Sequence, residues 1–325
     1  MAHVKNLDRT YIEKHLQDNF ISLMPIFYEM QSLFLSGIYK RYGDLEGGHI
    51  VIYFARDLHL EIMRKREKDM NFDLSLSKFW ENHGNIFQNK KKIISIANHT
   101  GLPKETARRK IIQLIKKKHI KKLDKNKILW EPDPHFKDTY ISIIEEQINS
   151  LSKFIYQVTK VIGFNSPISR IQKELKDNYS FHWYHYLTFQ LQYIKYWQER
   201  FKDLEMVLIA LQTLIQTIRY ISSSVKGDIN TFLLNKIPKN IDTKNANISA
   251  TSISEITGIP RATCIRKLEK FVKMNILEKD NLSKRYYLLT NQLAVNPVLS
   301  HGEVVKTTTS IFSDFCAVFL KNINK

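Results

Sequence analysis

Two stretches of this 325-residue chain decide its fold, because they carry the same pattern. The first, Ser95 to Lys122, reads SIANHTGLPKETARRKIIQLIKKKHIKK, and the second, Ser252 to Lys279, reads SISEITGIPRATCIRKLEKFVKMNILEK. A shift of 157 residues aligns them with ten identities, which include the Thr-Gly-x-Pro core of each stretch. An internal repeat of this kind predicts an architecture built from two related units.

A weaker repeat lies upstream at a shift of 159 residues, where the sequence Asp44-Leu45-Glu46 aligns with Asp203-Leu204-Glu205. The similar shift indicates that a whole unit was duplicated, with residues 1–165 in the first unit and 166–325 in the second. Each unit is expected to begin with long helices and to end with a closing helix, at about 136–161 and 304–320. Residues 163–167 mark the boundary, because Gly, Asn, Ser and Pro together interrupt helical pattern.

Each repeated stretch predicts a short helix, a tight turn and a second helix. In the first copy the short apolar helix ends at Thr100-Gly101, where glycine supplies the positive φ that often ends a helix. Pro103 suits the start of the next helix, because its missing N–H would have no partner in the first turn. That second helix is expected over residues 104–117.

At helical spacing the second helix divides into an apolar face and a basic face. The residues predicted to face inward are Ala107, Ile111, Leu114 and Ile115 in the first copy and Cys264, Leu268, Phe271 and Val272 in the second. The residues predicted to face outward are Thr106, Arg109, Lys110 and Gln113, and Thr263, Arg266, Lys267 and Lys270. This layout is typical of a helix-turn-helix, whose second helix lies in the major groove of DNA.

A short hairpin is predicted after each second helix, with strands at 120–123 and 128–130 in the first copy and at 277–279 and 286–289 in the second. The whole pattern, Thr-Gly-Leu/Ile-Pro-x-x-Thr-x-x-Arg-Lys-Ile/Leu and a basic hairpin, resembles the DNA-binding module of bacterial winged helix-turn-helix regulators of the MarR, IclR and GntR kind. The resemblance implies a mainly α fold with tandem winged helix-turn-helix modules, at about 75–133 and 245–291. Small β-hairpins would be the wings, and long helices would join the modules.

The resemblance also implies which residues contact DNA. The recognition-helix positions are Lys104, Thr106, Arg108, Arg109, Arg261, Thr263 and Arg266, and we add Lys270 and the hairpin residues Lys125, Lys127, Lys284 and Arg285. If each unit acts as one protomer, the chain is a covalent pseudo-dimer that could place two recognition helices roughly 34 Å apart on one face of DNA. The two half-sites need not share a sequence, because Arg108 aligns with Ile265 and Glu105 with Ala262.

The net charge supports a polyanionic partner, since 50 Lys and Arg outnumber 32 Asp and Glu and give +18 at pH 7. We therefore expect a sequence-specific regulator of transcription that binds double-stranded DNA, in the bacterial cytoplasm and associated with the nucleoid. A homodimer through the long helices is a further option. No membrane span is expected, because the longest apolar stretch, at 207–215, falls short of the length of a span and is interrupted by Gln212 and Thr213. No secretory signal is expected, because charged residues interrupt the N-terminal segment, namely Asp8, Glu13, Lys14 and Asp18.

Nothing in the sequence points to an enzyme, a cofactor or a metal. It contains no Gly-rich phosphate loop, His-Glu-x-x-His or nucleophile elbow, and Cys264 and Cys316 lack metal-ligand spacing. Two alternatives remain open. One is a plasmid-type replication initiator, a class that also carries tandem winged helices and binds repeated origin sites. The other is a nucleoid-type DNA- or RNA-binding protein whose affinity scarcely depends on sequence.

Residues 181–222 contain no Gly or Pro and predict one long helix, whose counterpart at 20–66 is expected to break at Gly43 and at Gly47-Gly48. Trp130 and Tyr287, after the hairpins, are expected in the core. The aromatic start of the long helix permits either a ligand pocket or packing between the units, and we favour packing. The residues concerned are Trp183, Tyr184, Tyr186 and Tyr193, with His182 and His185.

Overall fold

The structure is a computed structural model, and it describes residues 7–89, 91–123, 127–224, 243–289 and 301–324. These residues are mainly helical, as predicted. The helices are α1 (Arg9–Asp18), α2 (Phe20–Tyr42), α3 (Leu45–Lys68), α4 (Leu76–Asn82), α5 (Ile93–Thr100), α6 (Lys104–Lys116), α7 (Lys137–Ile162), α8 (Ile168–Asp177), α9 (Tyr179–Phe201), α10 (Leu204–Ser224), α11 (Ala250–Thr257), α12 (Arg261–Lys273) and α13 (His301–Ile323). Two antiparallel strand pairs follow α6 and α12, namely β1 (Lys121–Leu123) with β2 (Lys127–Leu129), and β3 (Leu277–Lys279) with β4 (Tyr286–Leu288).

The order of elements in the first half, up to α7, recurs in the second half, except that the position equivalent to α4 lies outside the described residues. Helices α1, α2 and α3 correspond to α8, α9 and α10 at a shift of 159 residues, and α5 and α6 correspond to α11 and α12 at a shift of 157. The turns correspond as well, because Gly43 and Lys202 both have positive φ, and so do Lys118 and Asn275. The closing helices, α7 and α13, lie where the sequence predicts them.

The two halves pack on each other reciprocally. Helix α1 packs on α13, the closing helix of the other half, and α8 packs on α7 in the same way. Likewise α3 packs on α9, and α10 packs on α2. The rings of Phe27 and Tyr193 lie 5.8 Å apart, and the repeat-related rings of Tyr186 and Phe34 lie 5.7 Å apart. Contacts that recur with the partners exchanged define an approximate two-fold axis, which passes between α2 and α9.

Buried residues of both halves belong to one hydrophobic core. Trp130 and Tyr287 are buried, as predicted. In α9, Trp183, Tyr186 and Tyr193 are buried, so packing is confirmed as their main role. Each large apolar side chain buried in this way stabilises the fold by about 1.5 to 3 kcal/mol. The apolar faces of α2 and α9 cover each other within one chain, and the homodimer stays a prediction.

The prediction of a single helix over residues 181–222 is wrong, because the chain turns between α9 and α10. Lys202 adopts a left-handed conformation with φ 55°, and the Asp203 carboxylate accepts hydrogen bonds from the backbone N–H groups of Glu205 and Met206. A carboxylate that caps the first turn can begin a new helix without Gly or Pro. The long helical stretch is therefore two helices, α9 and α10.

In the first half, the predicted break at Gly43 is confirmed and the predicted break at Gly47-Gly48 is wrong. Gly43 has φ 83° and ends α2, whereas Gly47 and Gly48 lie inside α3. A Cβ atom on Gly48 would lie 2.0 Å from Cγ2 of Ile38. Gly48 therefore serves the close approach of α3 to α2 rather than a turn.

Helix α10 contains one apolar window, Leu204–Ile221, that is long enough to cross a membrane. In the structure 67% of this window is buried inside the protein. Length and composition alone therefore make it a weak candidate span, because the core helix of a globular protein meets the same criteria.

Candidate nucleic-acid interface

Each repeated stretch folds into a short helix, a glycine turn, a longer helix and a hairpin. We call residues 93–129 segment 1 and residues 250–288 segment 2. The short helices end at Gly101 and Gly258, whose φ angles are 68° and 79°. The Thr100 hydroxyl donates a hydrogen bond of 2.7 Å to the Ile96 carbonyl, and Thr257 does the same to Ile253. The Thr-Gly identities of the repeat therefore build the turn in both copies.

The inward faces of α6 and α12 are those predicted from helical spacing. Ala107, Ile111 and Leu114 are buried in α6, and Cys264, Leu268 and Phe271 are buried in α12, while Ile115 and Val272 are half-buried. Burial also raises the pKa of the Cys264 thiol to about 11, so this cysteine is a neutral core residue. Each helix is fixed on one side, and its opposite side is presented to solvent.

The outward assignment of Lys110 and Lys267 is wrong, because both side chains turn toward the central helices. Lys110 Nζ lies 2.9 Å from Asp44 Oδ1 and 3.2 Å from Glu46 Oε2. Lys267 Nζ makes the repeat-related contacts, at 2.7 Å from Asp203 Oδ1 and 2.8 Å from Glu205 Oε2. The Asp-Leu-Glu echo in the sequence is therefore the acidic partner of a lysine that anchors α6 or α12.

Two features of the surroundings of Lys110 shift its pKa in opposite directions. Burial lowers the pKa of Lys110, but the hydrogen bonds and charges of Asp44 and Glu46 outweigh burial and leave the pKa above its ordinary value. Lys110 therefore stays protonated at neutral pH. Its ion pairs tie α6 to the first turn of α3.

Replacing Lys267 with Met is expected to lower the free energy of unfolding by about 2 to 3 kcal/mol, because Asp203 and Glu205 would lose their cation in a largely buried site. Lys110→Met should act in the same direction in the first half. Lys116→Met, at an exposed position of α6, is the control and should change stability by less than about 0.5 kcal/mol. Urea unfolding of the three variants measures this order. Equal stabilities for Lys267→Met and Lys116→Met would refute the anchoring role.

The outer face of α6 is exposed and basic. Lys104, Arg108 and Arg109 are exposed, and Thr106 is half-buried beside them. Arg108 Nε lies 2.8 Å from the Glu105 carboxylate, an exposed pair that is weak in water and can open for another anion. Sequence reasoning missed Ile112, which is 53% exposed at the centre of this face. Its position one turn after Arg108 and Arg109 was the available signal.

The outer face of α12 has the same charge but different details. Arg261, Arg266 and Lys270 are exposed, and Thr263 is half-buried. Arg261 Nε donates a hydrogen bond of 3.0 Å to the Thr251 hydroxyl, which holds this side chain at the start of the helix. Where α6 has Arg108, α12 has the half-buried Ile265. The two faces are related by the repeat without being identical.

The hairpins add cations beside these faces. Lys284 and Arg285 are exposed in the second hairpin, and Arg285 Nη1 donates to Asn247 Oδ1 at 3.3 Å. Lys125 and the side chain of Lys127 lie outside the described residues, so their predicted roles stay predictions. Lys121 and Lys122, exposed on β1, were missed, although their place in the basic run before the hairpin could have indicated them.

The glycine turn of each segment lies beside a long helix of the other half. A Cβ atom on Gly258 would lie 3.1 Å from Lys40 Cγ and 3.6 Å from Tyr39 Cδ1, at the end of α2. A Cβ atom on Gly101 would lie 3.9 Å from Oε1 of Gln198, the repeat counterpart of Tyr39 near the end of α9. The approximate two-fold relation of the core therefore extends to the two exposed basic faces.

The glycine turn should be more sensitive than the proline that follows it. Gly101→Val is expected to lower stability by about 2 to 3 kcal/mol, because a β-branched residue is strained at φ 68°. Pro103→Ala should cost less than about 1 kcal/mol, since it changes mainly the freedom of the unfolded chain. Gly84→Ala is the control, because a Cβ there has open space. Thermal melting tests this order, and a larger loss for Pro103→Ala than for Gly101→Val would contradict it.

Comparison of this chain with protein-family models, with curated proteins and with solved structures gives no match. What the residues themselves define is a mainly helical protein with an internal two-fold repeat and two exposed basic helices.

Proposed function

We propose that this protein is a sequence-specific, double-stranded DNA-binding regulator of transcription. Segments 1 and 2 would be tandem winged helix-turn-helix modules, similar to those of MarR, IclR and GntR regulators, with α6 and α12 as recognition helices and the hairpins as wings. The observation that carries the proposal is that two helices, α6 and α12, each present a basic face to solvent. Arg109 and Arg266 are exposed at the same position of two helices whose opposite sides are buried.

The chemistry of these faces suits duplex DNA. The major groove admits one α-helix, and arginine can donate two hydrogen bonds to O6 and N7 of guanine. Arg109 and Arg266 are the residues that we assign to base edges. The cations at the starts of the helices, Lys104 and Arg261, and those of the second hairpin, Lys284 and Arg285, would contact phosphates, which fix orientation without reading sequence.

The approximate two-fold axis supports a pseudo-dimer in one chain. Two-fold repressors place two recognition helices in successive major grooves, about 34 Å apart. Here the two modules differ, because Arg108 and Glu105 of α6 align with Ile265 and Ala262 of α12. We therefore expect a binding site with two half-sites in inverted orientation and with different sequences. In a bacterial cell, such a protein would work in the cytoplasm, bound to the nucleoid.

Selection of bound fragments from genomic DNA, followed by a salt titration on the winning site, tests the proposal. We expect a defined motif with two half-sites, and an affinity that falls with salt but stays above that for random DNA at every concentration. Tandem direct repeats at a replication origin would instead favour a replication initiator. No enriched motif, together with equal affinity for all duplexes, would contradict sequence-specific binding.

A further inference from the structure

Two cavities lie at repeat-related places, each between the central helices and one hairpin. The first is lined by Ile38, Tyr42 and Ile52, and the second by Trp197, Phe201 and Leu211, which are their counterparts at a shift of 159 residues. The duplicated fold therefore leaves a space at the same position in each half. The two spaces can be compared residue by residue.

The first cavity is largely filled by aromatic side chains. Trp183, Trp130 and Tyr140 line it, and its volume is about 50 Å³. Arg41 and Gln147 also line it, so its surroundings include a charge and an amide. Little space remains there for an apolar molecule.

The second cavity has smaller side chains at the matching places and a volume of about 90 Å³. Met24 stands where the first cavity has Trp183, and the register of the hairpins places Leu288 where the first cavity has Trp130. None of the described residues that line the second cavity is charged. The hydroxyl of Thr213, which lines it, already donates to the Ala210 carbonyl at 2.9 Å. This lining favours an occupant with neither charge nor strong hydrogen-bonding groups.

The second cavity also touches segment 2. Phe271, on the buried side of α12, lines it together with Ile276 and Leu277 at the start of the second hairpin. The opposite wall is formed by α10 and by the ends of α2 and α9, through residues such as Leu214. A molecule in this space would contact α12 and the core helices at once.

We propose that the second cavity, and not the first, binds one uncharged apolar molecule of about the size of a single aromatic ring. Because a dry cavity of about 150 Å³ lined by aliphatic and aromatic residues binds benzene, the volume of about 90 Å³ makes a single ring the upper limit for the occupant. Occupancy would fix α12 against α10 and so change the DNA affinity of segment 2. This regulatory consequence rests on the proposed function, whereas the binding itself does not.

The binding is tested on the full chain without DNA, with fluorobenzene as the probe and its ¹⁹F resonance as the readout. We expect saturable broadening with the wild-type protein. Ala210→Phe, which fills the second cavity, should abolish it, and Ala55→Phe, the same change in the lining of the first cavity, should preserve it. Ala210→Leu is a milder replacement if Ala210→Phe melts early, and it should weaken binding in a protein that remains folded.

Three results would overturn the site: no saturable broadening with the wild type, retention of binding in folded Ala210→Phe and Ala210→Leu, or loss of binding in Ala55→Phe alone. The regulatory consequence is measured separately, as the affinity for the selected DNA site with and without saturating fluorobenzene. An unchanged affinity would refute the coupling and leave the binding result standing. If no specific DNA site is found, the proposed function fails, but the ¹⁹F experiment still shows whether the second cavity binds fluorobenzene.

Discussion

The double variant Arg109→Ala/Arg266→Ala is expected to lose about 2 to 6 kcal/mol of binding free energy on the specific DNA site, because each arginine would contribute about 1 to 3 kcal/mol through a guanine edge. The two losses should add, since the residues lie on separate helices, one in each half of the chain. Both side chains are exposed, so the fold should keep its stability. Electrophoretic mobility shift or fluorescence anisotropy measures the affinity.

A matched control separates base reading from charge. Lys116 and Lys273 are also a repeat-related pair of exposed cations, but they lie at the ends of α6 and α12. Lys116→Ala/Lys273→Ala should weaken binding to specific and random DNA alike and should reduce the salt dependence. If the arginine variant behaved in the same way, with equal losses on both kinds of DNA, base reading by these arginines would be refuted.

The second large expected effect is a loss of stability at acidic pH, and it arises from two buried histidines of α3. His49 and His59 are buried, and none of their ring nitrogens has a hydrogen-bond partner among the described residues. Burial lowers the pKa of His49 to about 4 and that of His59 to about 3. His59 is stacked on Phe79 at 4.9 Å, which leaves no room for the hydration of an imidazolium.

These lowered pKa values make the folded protein less stable as the pH falls. Above the unfolded pKa of about 6.5, both histidines are neutral in both states and the full stability is present. As pH falls below 6.5, the unfolded chain takes up protons that the folded protein does not, so stability is lost until the folded pKa is reached. At pH 5 the loss should be about 2 kcal/mol for each histidine, or about 4 kcal/mol together.

The repeat supplies the replacements for this test. Leu208 and Ile218 of α10 stand at the positions equivalent to His49 and His59, and both are buried. The variant His49→Leu/His59→Ile should therefore fold and should lose about 4 kcal/mol less than the wild type between pH 7 and pH 5. Urea unfolding at both pH values gives the numbers. Parallel pH profiles for variant and wild type would show that these histidines are not the cause.

Much of the local structure could be predicted from the sequence because its causes are local. The turns at Gly101 and Gly258, the hairpins and the buried faces of α6 and α12 depend on residues within a few positions of one another. The repeat then doubled the information, since each local pattern was present twice. The exposure of the candidate DNA-binding residues Arg109 and Arg266 follows from the same helical spacing.

What could not be predicted depends on contacts between distant parts of the chain. Helical spacing placed Lys110 on the outer face, but its partner Asp44 lies 66 residues earlier, at the N-cap of α3. The Gly47-Gly48 pair predicted a break, whereas in the structure Gly48 allows α2 to lie close against α3. Helices α1 and α8 each pack on the closing helix of the other half, and this arrangement likewise depends on the packing of the whole chain. The repeated Asp-Leu-Glu sequence could be recognised in the sequence. That its two carboxylates form ion pairs with Lys110 or Lys267 could not.

Hydroxyl-radical footprinting of the full chain on its selected DNA site tests the central claim most directly. We predict two protected patches on one face of the duplex, centred about 34 Å apart. Arg109→Ala should weaken one patch and Arg266→Ala the other, because the two arginines lie on the two helices that we propose as recognition helices. Uniform protection along the duplex, or a footprint that neither substitution alters, would contradict a protein that reads DNA with two helices of one chain.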